Sequence, residues 1–380
     1  PMSPRLATFL VFVVNGAVFG TWVAFIPTVK DGLGATGGEF GVALLFGPVG
    51  ALVSQQITGQ LLVRVSSRRL LTVSSLVYPW IVILPLAVPS LPLLALALFV
   101  MGYVNSMMDL TMNAHGVALE DRSEKSIMSG LHAGWSLGGI IAPIAVAFAL
   151  GLGVDPWLEA VVAALVLFLL VVYASRHLGT GSIRSEGSGG LHLPSRAILP
   201  LAALIVLIAF VEGGLTDWGG VYLGEGLGAE ESVTAMAYAA LSLGLFVGRM
   251  GGDWMKDRIG SVRLIQLGMA GTAAALVVML LVGEPLVALV GMVVAGIGLA
   301  NTIPQIFAAA GRIPPNGPSL SAVFTSLTLA FVIGPPLIGN TADIVGIAGA
   351  FTMFAVASVV VVLVAGRVPA AETNPRFRRG

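Results

Sequence analysis

The chain has 380 residues, of which 57% are hydrophobic and only 10% are charged. Its mean hydropathy of +0.97 excludes a water-soluble globular protein, because such a protein needs more polar surface than this chain can supply. The net charge is zero and cysteine is absent. We therefore expect no nucleic-acid partner, no disulfide, no metal site and no cofactor.

Apolar stretches follow one another along the chain, and each can cross a bilayer, which takes roughly 20 residues. They cover residues 5–27, 39–61, 70–89, 91–115, 127–150, 156–175, 197–220, 231–252, 262–282, 285–310, 318–338 and 343–366. The first stretch has no small-residue cleavage site after it, so we interpret it as a retained helix. The sequence predicts an all-α polytopic membrane protein with twelve transmembrane helices.

The basic residues fall on one side of these predicted helices. Of the 19 Lys and Arg residues, only Lys30 lies in a connection on the other side. The others occur at Arg5, in 64–69, 122–125, 176–196 and 249–263, at Arg312 and in 367–379. Because cytoplasmic connections are enriched in Lys and Arg, we predict a multi-pass protein of the cytoplasmic (inner) membrane with both termini in the cytoplasm.

The two halves of the sequence repeat with an offset close to 194 residues. Gly102 then aligns with Gly296, and the basic segment 60–70 aligns with the segment 254–264. The matching residues keep nearly the same offset from the second predicted helix to the eleventh, which chance matches would rarely do. The repeating unit is therefore predicted to be a bundle of six helices.

Residues 177–196 lie between the two repeats and are rich in glycine and serine. This composition is typical of a flexible linker. We predict an N-terminal bundle at 1–176, a cytoplasmic linker at 177–196 and a C-terminal bundle at 197–380. Two such repeats with a binding site near mid-membrane are the organisation of a rocking secondary transporter.

The repeated basic segment resembles the cytoplasmic motif of the major facilitator superfamily, and the resemblance to that family covers the whole chain. Four residues of the first copy fit the motif: Gly59, Arg64, Arg68 and Arg69. Val63 replaces the acidic residue of the motif, whereas the second copy keeps Asp257, Arg258 and Gly260. The resemblance implies a cytoplasmic gate at Arg64, Asp257 and Arg258. Basic residues that only fix topology are the alternative.

Asn105, Asp109 and Asn113 are spaced four apart, which places them along one face of the fourth helix. A carboxylate inside a bilayer normally faces a cavity or a partner, so Asp109 is a candidate for proton coupling, with a structural role as the alternative. A carboxylate four residues before an Asn in this helix resembles the fucose-proton symporter branch, as does segment 212–218. That branch's acidic residue in the first helix is absent from 21–24, so fucose itself is not implied.

The seventh helix carries two further carboxylates. Glu212 lies in the middle third of the span and is a second candidate for proton coupling. Asp217 lies near the outer end beside Trp218, where we expect a gate or an interfacial role. The two carboxylates are about 140° apart around the helix, so we do not expect them to act on one ligand together.

Amide and aromatic side chains in the apolar stretches are candidates for solute binding. Amides both donate and accept hydrogen bonds, which suits hydroxyl-rich ligands, and Trp offers a face for stacking on a sugar ring. The candidates are Asn15, Trp22, Asn105, Asn113, His132, Trp135, Asn301 and Gln305. Interhelical hydrogen bonding is the alternative for the amides, and a structural histidine is the alternative for His132.

The chain has no phosphate-binding glycine loop, so energy must come from a gradient and not from direct ATP coupling. We predict proton-coupled, alternating-access transport of a small polar, sugar-like solute by a monomer in the lipid bilayer. A proton-antiport exporter of a drug or metabolite is a second possibility, favoured by the Met-rich fourth helix. A non-transporting membrane sensor or scaffold is an alternative of another class.

Overall fold

The computed structural model describes residues 2–120, 127–179, 195–314, 316–368 and 372, and this part of the chain is helical without any β-strand. Most of the predicted linker, residues 180–194, lies outside the described residues. The helices in chain order are α1 (Pro4–Gly32), α2 (Gly37–Arg64), α3 (Ser67–Ala87), α4 (Leu91–Glu120), α5 (Met128–Gly151), α6 (Pro156–Ser175), α7 (Leu199–Gly226), α8 (Met236–Ile259), α9 (Ser261–Val282), α10 (Pro285–Ala310) and α11 (Asn316–Ala365).

The last helix contains two membrane spans. Gly346 has φ 77° and ψ 161°, which is not a helical conformation. The 50 residues of Asn316–Ala365 would form a rod of about 75 Å if they were straight, more than twice the thickness of a hydrocarbon core. We call residues 347–365 α12, and the all-α fold with twelve spans is confirmed.

Helix α10 is interrupted four residues before a proline. Proline has no N–H and cannot donate to the carbonyl group four residues earlier. In α10 the helix breaks at Ala300 and Asn301, where Pro304 leaves the Ala300 carbonyl without its helical donor. The prolines at Pro335 and Pro336, by contrast, do not interrupt their helix, because α11 continues through them. Proline's fixed φ is compatible with a helix, so missing hydrogen bonds alone do not break one.

Two compact units make up the molecule. Unit 1 contains 1–35, 42–189 and 234–239, and unit 2 contains 36–41, 190–233 and 240–380. The first turn of α2 therefore belongs to unit 2, whereas the remainder of α2 belongs to unit 1.

Glycines bring the helices of each unit into close contact, and they do so in equivalent places. A Cβ atom on any of them would collide with a backbone carbonyl group of the facing helix. In unit 1 the colliding pairs are Gly50 with Phe99 and Gly102 with Gly47, and in unit 2 they are Gly244 with Val293 and Gly296 with Leu241. Each residue of the first two pairs has its equivalent at the predicted offset of 194 positions, so α2 packs on α4 as α8 packs on α10.

Candidate functional site

Asn15 is the centre of a polar cluster inside unit 1. The indole Nε1 of Trp135 donates to Asn15 Oδ1 at 2.9 Å, and Asn15 Nδ2 donates to Asn105 Oδ1 at 3.0 Å. Asn15 is only 2% exposed, so its amide is fixed by these partners. The cluster therefore joins α1, α4 and α5 through side chains that the sequence places far apart.

A glycine beside Asn15 makes the cluster possible. A Cβ atom on Gly16 would collide with the carbonyl oxygen of Trp135, and one on Gly138 would collide with that of Val13. Because both residues lack a side chain, α1 and α5 approach closely enough for Asn15 to reach the indole of Trp135. Gly138 therefore has a packing role.

Asp109 and Asn113 form a second polar pair on α4. Asn113 Nδ2 donates to Asp109 Oδ1 at 3.1 Å and to the Asp109 carbonyl oxygen at 2.9 Å. The Asp109 side chain is exposed although α4 is a spanning helix. Within the described residues, no basic side chain forms an ion pair with it. Asp109 is therefore an accessible carboxylate with an amide partner and no counter-ion.

Aromatic rings lie next to the Asn15 cluster. The ring of Phe19 stacks on Trp135 with centroids 6.3 Å apart, and it meets Tyr238 edge-on at 5.6 Å. Phe19 and Trp135 are both half-buried, which leaves part of each ring available to a ligand. Trp22, by contrast, is only 5% exposed and is packed in the core.

His132 and Trp135 contact different aromatic rings of α1. His132 is exposed and meets the ring of Phe12 edge-on at 5.3 Å, whereas Trp135 contacts Phe19 and Asn15. The two rings that they contact, Phe12 and Phe19, lie about two turns apart on α1.

Tyr78 was missed in the sequence, although it is the one fully buried tyrosine of α3. It is 0% exposed, and its hydroxyl group has no hydrogen-bond partner among the described residues. A tyrosine in an apolar helix is usually a packing residue, so nothing in the local sequence singled it out.

The carboxylates of unit 2 have different surroundings. Glu212 is half-buried in α7, and the charge of Arg249 acts on it. Asp217 is also half-buried, next to Trp218, which is completely buried and meets Phe40 edge-on at 6.3 Å. Arg249 lies inside a spanning segment and had been interpreted only as a topology signal.

Glu159 on α6 is a further intramembrane carboxylate that the sequence interpretation passed over. It is 9% exposed, and its Oε2 atom has no hydrogen-bond partner in the part of the chain that the structure describes. The signal was present, since an acidic residue inside the apolar stretch 156–175 is rare enough to be noted.

The two amides predicted on α10 are engaged with neighbouring helices. Asn301 Nδ2 donates to the Gly248 carbonyl oxygen at 2.8 Å, and Gln305 Oε1 accepts from Ser261 Oγ at 3.0 Å. Gln305 is only 6% exposed. These contacts favour interhelical hydrogen bonding, the alternative reading, over solute binding.

The predicted gate residues lie at helix ends on the basic side. Arg64 closes α2 and is exposed, and Asp257 and Arg258 are exposed in the last turn of α8. The Arg258 guanidinium lies 4.1 Å from the ring centre of Trp254. Asp257 makes no hydrogen bond or ion pair with any described residue. The described residues also contain no group of His, Asp and Glu that could hold a metal ion.

The twelve spans define an α-helical polytopic membrane protein, and it has a polar cluster within its spanning helices. The profile of the Major Facilitator Superfamily matches residues 7–319. The chain therefore belongs to this superfamily of transporters.

Relatives along nearly the full length agree with this assignment. The chain is 33% identical to the uncharacterized transporter y4wD of Sinorhizobium fredii, over 87% of this chain and 89% of that protein. It is 29% identical to the membrane protein MosC of Rhizobium meliloti, over 92% and 86%. It is 26% identical to an uncharacterized MFS-type transporter of Yersinia pestis, over 92% of both chains.

Solved structures share the fold. The nucleoside transporter NupG superposes with a TM-score of 0.75 at 12% identity, covering 97% of this chain and 99% of that chain. A bacterial homologue of the human lysosomal transporter Spinster, in an inward-facing and unoccupied conformation, gives 0.74 at 14% identity, with 98% of both chains covered. At these identities the likeness concerns the fold alone.

Proposed function

We propose that the protein is a proton-coupled secondary transporter that moves a small polar, sugar-like solute across the cytoplasmic membrane by alternating access. One observation carries the proposal: Asp109 is an exposed carboxylate within a spanning helix, and no described basic residue forms an ion pair with it. A charge in the bilayer is costly without a partner or a water-filled cavity. Uptake of a proton removes that charge.

The electrochemical proton gradient supplies enough free energy for such a transporter. One charge that moves through 100 mV releases about 2.3 kcal/mol. An inward proton gradient can therefore drive accumulation of a neutral solute that enters with one proton. Asp109 supplies the proton site in this scheme. Glu212, with Arg249 as its basic neighbour, is the second candidate for the proton site.

The unit 1 cluster favours a solute that has both a flat face and hydroxyl groups. Asn15 is buried, but its half-buried partner Asn105 uses only its Oδ1 atom on Asn15, so the amide of Asn105 keeps capacity for a ligand. The half-buried rings of Phe19 and Trp135 can stack on the apolar face of a sugar or on a planar base. Hexoses and nucleosides both meet these requirements.

The test is uptake by the purified protein in proteoliposomes, with a panel of labelled hexoses and nucleosides and with the outside more acidic. A gradient of one pH unit, about 1.4 kcal/mol per proton, supports up to about tenfold accumulation. We expect accumulation that an uncoupler abolishes. Uptake that requires an acidic interior would instead support the exporter alternative, and a complete lack of binding and uptake would contradict the transport proposal.

A further inference from the structure

The first turn of α2 has its backbone donors satisfied from two sources. Thr36 and Glu39 form a reciprocal capping box, in which Glu39 N donates to Thr36 Oγ1 at 3.3 Å and Thr36 N donates to Glu39 Oε2 at 3.1 Å. The two amides between them, Gly37 and Gly38, point instead to another helix. Gly37 N donates to Asp343 Oδ1 at 2.6 Å, and Gly38 N donates to Asp343 Oδ2 at 2.8 Å.

Asp343 therefore caps the N-terminus of α2, although it lies 305 positions after Gly38 in the sequence. Both carboxylate oxygens accept a hydrogen bond from a free helix amide, and the negative charge lies at the positive end of the α2 dipole. Such charge-assisted bonds are short and are stronger than neutral ones. This contact and the capping box together account for the amides of Thr36 to Glu39.

The positions around this contact leave no room for a side chain. A Cβ atom on Gly37 would collide with the Gly339 carbonyl oxygen, and one on Gly41 would collide with that of Pro335. A Cβ atom on Gly339 would in turn collide with the carbonyl oxygen of Gly37. Three glycines thus allow the helices to approach closely enough for the Asp343 carboxylate to reach two amides.

The first turn of α2 is also where the chain passes from one unit to the other. Residues 36–41 belong to unit 2, and α2 belongs to unit 1 from residue 42 onwards. The α2 helix is interrupted at Leu45, between Gly37–Leu44 and Phe46–Arg64. Residues 36–41 and Asp343 both belong to unit 2, so the contact lies next to the point where α2 passes into unit 1.

We propose that Asp343 is a positioning residue for transport, whose contact with the first turn of α2 is formed in one state of the cycle and released in another. The contact acts as a latch on the side of the membrane opposite the basic connections. It holds that side closed by joining the end of α11 to α2. This inference rests on the proposed function, since a protein that does not transport has no cycle for the latch to control.

The test measures the latch without measuring uptake. Spin labels on Asp31→Cys and Ala348→Cys, both exposed positions in a chain without cysteine, report the distance across this side. Asp343→Asn removes the charge and is expected to raise the ratio of open to closed populations about tenfold. The matched control is Asp155→Asn, because Asp155 caps only its own helix, through Trp157 N and Leu158 N.

A second variant opens the contact without any change of charge. Gly41→Ala forces a Cβ atom against the Pro335 carbonyl oxygen, whereas Gly32→Ala meets no atom within 4 Å and serves as its control. We expect Gly41→Ala to show the same shift as Asp343→Asn, and Asp343→Glu to restore part of the closed population.

Unchanged distances in folded Asp343→Asn and Gly41→Ala proteins would overturn the latch, whatever the uptake assay shows. Shifted distances without any gradient-driven uptake in the unsubstituted protein would support a switching element while contradicting the proposed function. The two failures are therefore distinguishable.

Discussion

The carboxylates in the spanning helices differ in what surrounds them. Glu212 lies within reach of the charge of Arg249, and Glu159 is nearly buried, with one oxygen unpartnered among the described residues. Asp109 is exposed and is held by Asn113 from one helical turn below. An accessible carboxylate can exchange a proton with water, whereas a buried one cannot do so without a structural change. Asp109 is therefore the first residue to test.

We expect Asp109→Asn to keep solute binding and exchange but to lose accumulation driven by a pH gradient. The amide imitates the protonated carboxyl group, so the solute can still cross, but no proton is carried with it. The measurement compares counterflow exchange with gradient-driven uptake in proteoliposomes.

Glu212→Gln is the comparison variant, since it neutralises the other coupling candidate. Full gradient-driven accumulation by Asp109→Asn would make Asp109 a structural residue and would move the search to Glu212 or His132. The same loss in both variants would indicate that the two carboxylates act in one coupling step.

At the scale of helices, α2 packs on α4 through backbone contacts that only glycine permits. Gly102 faces the Gly47 carbonyl oxygen, and its equivalent Gly296 faces that of Leu241. Without a hydrophobic driving force between helices in lipid, close packing of this kind is what holds them together. The repeat was detectable in the sequence because these packing positions require the same residue twice.

We expect Gly102→Ala to destabilise the protein by about 1–3 kcal/mol, because the added methyl group must push a backbone apart. Thermal unfolding in detergent, followed by the midpoint temperature, measures the effect. The control is Gly271→Ala, which adds the same methyl group in mid-helix where no atom lies within 4 Å. Equal midpoints for the two variants would show that α2 and α4 do not depend on this contact.

At the scale of the whole molecule, the positions of Lys and Arg determine the expected orientation. All but Lys30 fall on one side of the spans, and cytoplasmic connections are enriched in these residues. No comparison with relatives tests this orientation, so it stays a prediction.

A single-cysteine scan tests the orientation directly, because the chain has no cysteine of its own. We expect thiols in 59–69 and 177–196 to react with a membrane-impermeant maleimide only from the cytoplasmic side, and Asp31→Cys to react only from outside. Labelling of the 59–69 loop in intact cells would contradict the predicted orientation.

The sequence by itself determined the twelve spans, their expected orientation and the twofold repeat, since these follow from local composition and periodicity. It also placed Asn113 one turn from Asp109, where the structure shows the hydrogen bond. Helical spacing is enough for that pair because both residues lie on one helix.

Tertiary structure decided which helix meets each face. Asn15 and Trp135 are 120 positions apart, and Asp343 and Gly38 are 305 apart; no local pattern encodes such pairs. Asn15 and Asn301 are both amides in apolar helices, yet Asn15 joins a cluster beside half-buried aromatic rings and Asn301 is bound to the backbone of α8. Periodicity shows which face of a helix a residue occupies, but only the packing of the helices determines what fills the space opposite that face.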